Sequence, residues 1–349
     1  MGRSVAVVCP KGGVGKTTVA VNLAAALADK GFKCLVVGVD PQCGVISSFG
    51  QERFSVDFGL LDFFDPDGSP ARSIHPTGIN NLDFITSNVW SRDEEEQLLT
   101  WAAISPESLA EGLAPVKREY DFIMLDCPPN LGPLTTSALM AADSLVVPLQ
   151  VEELAFQALP RLFDAMDEMR EGDQPLPELA GIVLNQVDLR TRMANSVAQR
   201  VREAYPGKVF ETQVPRSIRL AEVAQRGKPV NMFNRAGVAS QAFAALADEL
   251  LASIITEKRP EERRAAPMDD FRENAFTEAI STVSKPSPIL TATGEILLNE
   301  DESDGNGKSK NGEDEIISLD EVDENNSDTC RVTRPNLDEY DGGIEEGWH

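Results

Sequence analysis

The chain has 349 residues, 57 of them acidic and 32 basic, for a formal charge of -25 at pH 7. A surface this acidic has no general affinity for nucleic acid or anionic lipid, so any such binding must come from a local patch. No run of about eighteen apolar residues occurs, and the start, MGRSVAVV, lacks the basic region and long apolar run of an export signal, so neither membrane spanning nor export is expected.

From the N-terminus, residues 4–9 read as an apolar strand, 17–30 as a helix and 34–39 as a second strand. The Phe-rich stretch 54–64 reads as packing beneath a helix, and His75 as a loop residue. Strand 82–85, helix 106–119, strand 122–125, helix 134–142 and strand 144–149 follow, then helix 154–171, strand 179–184, helix 193–204, a short strand 208–210 and helix 238–255. Most of the strands are continuous apolar runs, as in strands covered on both faces. The alternation predicts an α/β fold, a doubly wound and mostly parallel sheet over residues 1–260. Residues 261–349 are predicted to form a disordered acidic tail, because 266–349 hold 22 acidic and 6 basic residues and too little apolar surface to offset ordering entropy. Short apolar islands such as Ile316-Ile317-Ser318-Leu319 interrupt it and make a docking role the alternative to a solvating one. The five cysteines, Cys9, Cys34, Cys43, Cys127 and Cys330, are unclustered and mostly lie in apolar segments, which predicts buried free thiols in a reducing cytoplasm.

Between the first strand and first helix stands Lys11-Gly12-Gly13-Val14-Gly15-Lys16-Thr17-Thr18. Glycines let successive backbone N–H groups curl around phosphate oxygens, and the helix N-terminus adds positive dipole. Lys16 is expected to reach the β and γ phosphates of ATP, and the Thr17 hydroxyl to ligate Mg²⁺. The whole loop from Lys11 to Thr18 is the predicted nucleotide contact. Asp40, in Val-Asp-Pro-Gln, and Asp126, in FIMLD-Cys-Pro-Pro, each read as the end of a strand, the edge where ligands of open sheets bind.

The loop with its extra Lys11 resembles the deviant Walker A ATPases, the ParA and MinD superfamily. Asp40-Pro41-Gln42, DCPPNLGPLTTSAL from Asp126, AADSLVVPLQ from Ala141 and VPRSIRLAEVAQRGKPV from Val214 narrow the resemblance to ParA over about residues 3–255. It implies a slow ATPase that dimerises with ATP at the interface. Lys11 would cross to the partner's phosphates and act like an arginine finger with Lys16 and Asp40. It also implies that Asp40 orients the attacking water and approaches the metal, that Asp126 holds Mg²⁺ through water, and that Asn185, at a strand end, and Pro215, in the following loop, lie near the adenine. Two positions depart from the family pattern and bear on turnover rather than on nucleotide binding: Gly38, where many relatives carry an aspartate, and Cys43-Gly44-Val45. A helix-turn-helix extension before the first strand is not expected.

Residues 185–235 reverse the charge, with 10 basic against 4 acidic. Such a patch can bind phosphates without reading bases, and the resemblance implies nucleoid DNA as its ligand, with Arg190, Arg216 and Arg219 as the expected contacts. The alternative is a solvated helix face with ion pairs. The expected function is positioning of a plasmid, chromosome or protein cargo, in the cytoplasm on the nucleoid, with a ParB-like or cargo adaptor stimulating hydrolysis. The competing classes are a MinD-like membrane switch, disfavoured by the acidic ending LDEYDGGIEEGWH, a cluster-holding relative of nitrogenase iron protein through Cys127, disfavoured by the lack of a C-x-x-C, and a slow nucleotide-locked scaffold.

Overall fold

The computed structural model describes residues 2–65, 68–152, 158–171, 174–188, 190–217, 220, 222–223 and 226–256. All of them belong to one compact unit, Met1–Pro286. The acidic tail, Arg219, Cys330 and the first residues of the expected helix 154–171 lie outside the described residues.

Eight strands form one sheet: β1 (Arg3–Val7), β2 (Cys34–Gly38), β3 (His75–Ile79), β4 (Leu82–Ile85), β5 (Phe122–Asp126), β6 (Ser144–Gln150), β7 (Glu178–Val187) and β8 (Val209–Pro215). Their order is β3-β4-β2-β5-β1-β6-β7-β8, and every pairing is parallel except β3 with β4. The predicted doubly wound, mostly parallel sheet is therefore observed. Alternate residues of the central strands feed opposite cores, which explains their unbroken apolar runs. Ala6, Leu35, Val37 and Leu125 pack on one face with Leu98, Leu109, Leu134 and Leu159. Val5, Val7, Val36 and Met124 pack on the other with Leu23, Leu27, Phe243 and Leu246.

The first of these faces is covered by α4 (Arg92–Ile104), α5 (Ser108–Val116), α6 (Pro133–Ala141), α7 (Ala158–Glu171) and α8 (Arg192–Ala204). The second carries α1 (Lys16–Asp29), α2 (Gly44–Ser48) and α10 (Val238–Thr256). Short helices α3 (Leu61–Phe64) and α9 (Val230–Phe233) complete the described elements used below. β1 lies between β5 and β6, so the chain winds outward in both directions from it and leaves a crevice at its C-terminal end. The glycine-rich loop sits there.

Several expectations need correction. His75 begins the antiparallel edge strand β3 rather than lying in a loop, and its Nε2 is 2.9 Å from the Phe58 carbonyl oxygen. The Phe-rich stretch divides: Phe63 and Phe64 are buried, while Phe54 is 73% exposed and sits 5.3 Å from the Trp90 ring. Pro215 closes β8 instead of standing in a loop, and Asn185 lies inside β7, two residues before its end. Asp40 does not end a strand, because β2 stops at Gly38 and Asp40 occupies the turn beyond.

Candidate functional site

Helix α1 begins at Lys16 behind Gly15, which is left-handed at φ 87° and offers no side-chain cap. Its first N–H groups therefore have no internal partner and favour an anion. Gly13 is also left-handed, at φ 77°. A side chain at Gly15 would run into Asn185 Nδ2, 2.5 Å from where its Cβ would stand, so glycine is required there by both backbone and contact.

Two amides from β7 hold this loop from outside. Asn185 Nδ2 donates to the Val14 carbonyl at 2.6 Å, and Gln186 Nε2 donates to the Gly13 carbonyl at 2.8 Å. In a trans peptide the C=O and the following N–H point in opposite directions. Tying the carbonyls of Gly13 and Val14 to β7 therefore turns the N–H groups of Val14 and Gly15 away from it. The result is a row of backbone donors of the kind suited to phosphate. Lys16 is buried at 8% exposure, and its ammonium donates to the Lys11 carbonyl at 3.1 Å, folded back over the same loop. Lys11 pairs within its own chain with Glu152 at 3.3 Å on the loop's outer side.

Asp126 is fully buried, and neither of its carboxylate oxygens has a hydrogen-bond partner. Burial pushes its carboxyl up to about 7, with Asp40 adding to the rise. The Thr17 hydroxyl and Lys16 oppose that shift, although Thr17 makes no hydrogen bond of good geometry to it. An orphaned buried carboxylate beside a threonine hydroxyl, a lysine and a second carboxylate is a set that a divalent cation with phosphate oxygens completes. Asp40 is held on its turn by the Gln42 N–H, which donates to Oδ1 at 3.0 Å. The geometry thus brings together Lys16, Thr17, Asp40 and Asp126 around the N-terminus of α1. Gly12 and Gly13 are exposed on the same loop, with Thr18 partly buried in the first turn.

The two departures from the family pattern have local reasons. A Cβ on Gly38 would stand 3.1 Å from Val45 Cγ2, so Val45 of α2 fills the space an aspartate would need. Cys43 is left-handed and buried, with its Sγ 2.8 Å from Ser87 Oγ, which ties the start of α2 to the segment after β4. Cys9, Cys34, Cys43 and Cys127 are all buried free thiols, as expected. Burial pushes the Cys127 thiol well up, which keeps it protonated. Among the described residues no cluster of three or more His, Cys, Asp or Glu could hold a metal, and no helix is long and apolar enough to cross a membrane.

Beyond β7 and β8 a half-open cleft of about 860 Å³ is walled by Val187, Pro215, Phe233 and Val238. Arg190 and Arg216, the two described residues expected to bind DNA, line its rim. Arg190 forms an ion pair with Asp188, with Nε donating at 3.1 Å and Nη2 at 3.3 Å, and its side-chain and backbone hydrogen bonds hold that carboxyl below the usual range. Arg216 is exposed and anchored through its backbone N–H to the Val187 carbonyl at 3.0 Å. Arg226 stacks on the exposed Phe233 ring at 4.9 Å, while Arg202 is turned to the Phe210 and Glu211 carbonyls. Gln186 is the site residue that motif reading missed. Its only sequence signal is a second amide following Asn185.

An AAA domain family model matches residues 2–176. The sporulation initiation inhibitor protein Soj of Bacillus subtilis is 35% identical over 254 residues, covering 72% of this chain and 100% of that protein. The chromosome partitioning protein ParA of Myxococcus xanthus is 35% identical over 265 residues, 76% of this chain and 93% of that one. Among solved structures, cobyrinic acid a,c-diamide synthase from Mycobacterium smegmatis, with a bound ATP analogue and magnesium, has a TM-score of 0.64 at 26% identity, covering 74% of this chain and 97% of that one. MinD from Pyrococcus horikoshii with Mg-ADP has a TM-score of 0.59 at 25% identity, covering 74% and 100%. With the loop geometry and the buried carboxylate in place, the extent of these matches shows that the chain belongs to the ParA and Soj partition ATPases of the ParA/MinD superfamily.

Proposed function

We propose that this chain is an ATP-hydrolysing switch that dimerises around MgATP, holds DNA without sequence preference and releases it after hydrolysis stimulated by a partner. It would act in the cytoplasm on the nucleoid to position a plasmid, chromosome or protein cargo through a ParB-like or cargo adaptor. The observation that carries the reading is the donor-lined loop facing a buried, partnerless Asp126. Thr17 and Asp126 are the residues that would hold Mg²⁺, with Asp40 close by. The ion, when bound, supplies positive charge to the phosphate oxygens. Lys16 leaves the Lys11 carbonyl for the β and γ phosphates. Asp40, on its rigid turn, orients the attacking water. The base enters the cleft beside Pro215, with Asn185, which holds the Val14 carbonyl, close to it.

Lys11 must give up Glu152 to reach a partner's phosphates. Because the Lys11–Glu152 pair is half exposed, it is weak enough to exchange for phosphate. Arg216 is the leading DNA contact, with Arg190 less available because Asp188 holds it; Arg219 belongs to the same proposal. The test is DNA binding by the wild type and the Lys11→Ala and Asp40→Ala variants, with and without MgATP, alongside phosphate release. The wild type is expected to bind DNA only with MgATP, Lys11→Ala to neither dimerise nor bind, and Asp40→Ala to stay on DNA without turnover. Binding by all three without ATP would overturn the cycle.

A further inference from the structure

Gln186 has φ 55°, one of four non-glycine residues with positive φ among those described. The residue lies in a strand, where L-amino acids avoid that conformation. The pairing of β7 with β8 shifts register between Leu184 and Val187, across the same position. In a regular strand consecutive side chains point to opposite faces. Asn185 and Gln186 would then be unable to reach the same loop. The left-handed turn at Gln186 cancels that alternation, and the two amides meet consecutive carbonyls, those of Val14 and Gly13. Backbone strain at an ordinary surface position has no such consequence.

We infer that Gln186 is a positioning residue for the phosphate loop: its left-handed backbone delivers an amide to the Gly13 carbonyl and so aims the Val14 N–H at the nucleotide's phosphates. The inference rests on the phosphate-loop reading above. Gly13 makes the second amide useful. As a left-handed glycine it has no Cβ to restrict its side of the peptide, and a Cβ there would meet nothing within 4 Å, so on that side neither conformation nor packing holds the plane, while the buried Val14 anchors the other side. Asn185 fixes the next peptide only. Without Gln186 the peptide between Gly13 and Val14 loses its restraint on the Gly13 side, and the Val14 N–H points at the phosphates for a smaller part of the time. Gln186 also begins a backbone path to the cleft, because its neighbour Val187 accepts the Arg216 N–H.

The test compares full-length wild type with Gln186→Leu, Gln186→Gly and Gln186→Asn for MgADP and MgATP affinity by calorimetry, and for the melting temperature of the nucleotide-free protein. Leucine keeps the volume and removes the donor. Glycine accepts the left-handed backbone without strain, so it folds even where leucine does not. Both are expected to lose about threefold to tenfold in affinity for either nucleotide, the range for one hydrogen bond. Gln186→Gly should keep or raise the melting temperature. Gln186→Asn, which tolerates the backbone but is one methylene too short, should behave like glycine in affinity. Affinities of Gln186→Gly within twofold of wild type would overturn the inference while leaving the ATPase reading intact. A wild type that binds neither nucleotide would overturn both.

Discussion

A buried carboxylate without a partner is costly when ionised, by several kcal/mol in general, and Asp126 is such a group in the metal-free chain. At the end of β5, beside Thr17, Lys16 and Asp40, it stands where the proposed Mg²⁺ would relieve that cost. Asp126→Asn removes the charge while nearly preserving shape. The metal-free variant is therefore expected to be more stable than wild type by about 2 kcal/mol at pH 8 in urea unfolding. It should also lose the Mg²⁺-dependent part of its nucleotide affinity. Reduced stability in the metal-free variant would show that the carboxylate has a structural partner after all. The same scale of argument applies to Gly38, where Val45 rather than a carboxylate occupies the space. Gly38 lies outside the Lys11–Thr18 loop, so on the proposed mechanism the exchange would bear on water positioning near Asp40 and on turnover rather than on nucleotide binding.

At the scale of elements, α2 links the nucleotide end of α1 to the basic segment. A Cβ on Gly44, the first residue of α2, would stand 3.2 Å from Thr17 Cγ2. Just past its other end, Gly50 meets Gly227 so closely that a Cβ on Gly227 would lie 1.9 Å from the Gly50 Cα. Both glycines are left-handed, at φ 69° and 63°. The crossing sits between Arg226 and Lys228, and the chain after it is clamped to α1 by Asn22, whose Oδ1 accepts the Val230 N–H at 2.7 Å. A methyl group cannot fit there. Gly227→Ala is expected to cost about 2 kcal/mol or more in stability and to weaken MgATP-dependent DNA binding more than MgATP binding itself. Equal losses in the two would mean that the crossing is only structural. Much of this architecture was legible in the sequence: the parallel strands, the phosphate loop and the main helices follow from apolar periodicity and glycine spacing. Helix α4 was missed because its apolar face is thin, with only Leu98 and Ala102 buried, although the Ser91 and Glu94 capping box announces it. Strand β3 was hidden by Pro76 and Gly78, which edge strands tolerate. Most of β8 was missed because Glu211, Thr212 and Gln213 make it half polar. The Gln186 contact and the glycine crossing depend on tertiary approach, for which a local pattern carries no signal.

Across the whole molecule, the proposed DNA binding requires a chain of charge -25 to bring arginines to a polyanion. Contact and field act differently with salt. Each phosphate neutralised by a cationic side chain releases counterions, and the dependence of log affinity on log salt steepens by roughly 0.9 per contact. Long-range repulsion from the protein's net charge weakens binding most at low salt and fades as the Debye length shrinks to about 8 Å near 0.15 M, so it makes that dependence shallower. The two contributions are separable. Arg216→Ala is expected to lower MgATP-dependent DNA affinity at every salt concentration and to reduce the slope by about one. Truncation after residue 262 removes the stretch 266–349, with its 22 acidic and 6 basic residues, and leaves every described residue in place. It should raise affinity at low salt, leave it nearly unchanged near 0.3 M, and so steepen the slope, opposite in sign to the arginine variant. Fluorescence anisotropy with two unrelated duplexes of equal length measures both slopes and checks that neither depends on sequence. If truncation leaves the low-salt affinity unchanged, the acidic residues do not oppose DNA binding, and the arginines bind within a field set by the ATPase domain alone.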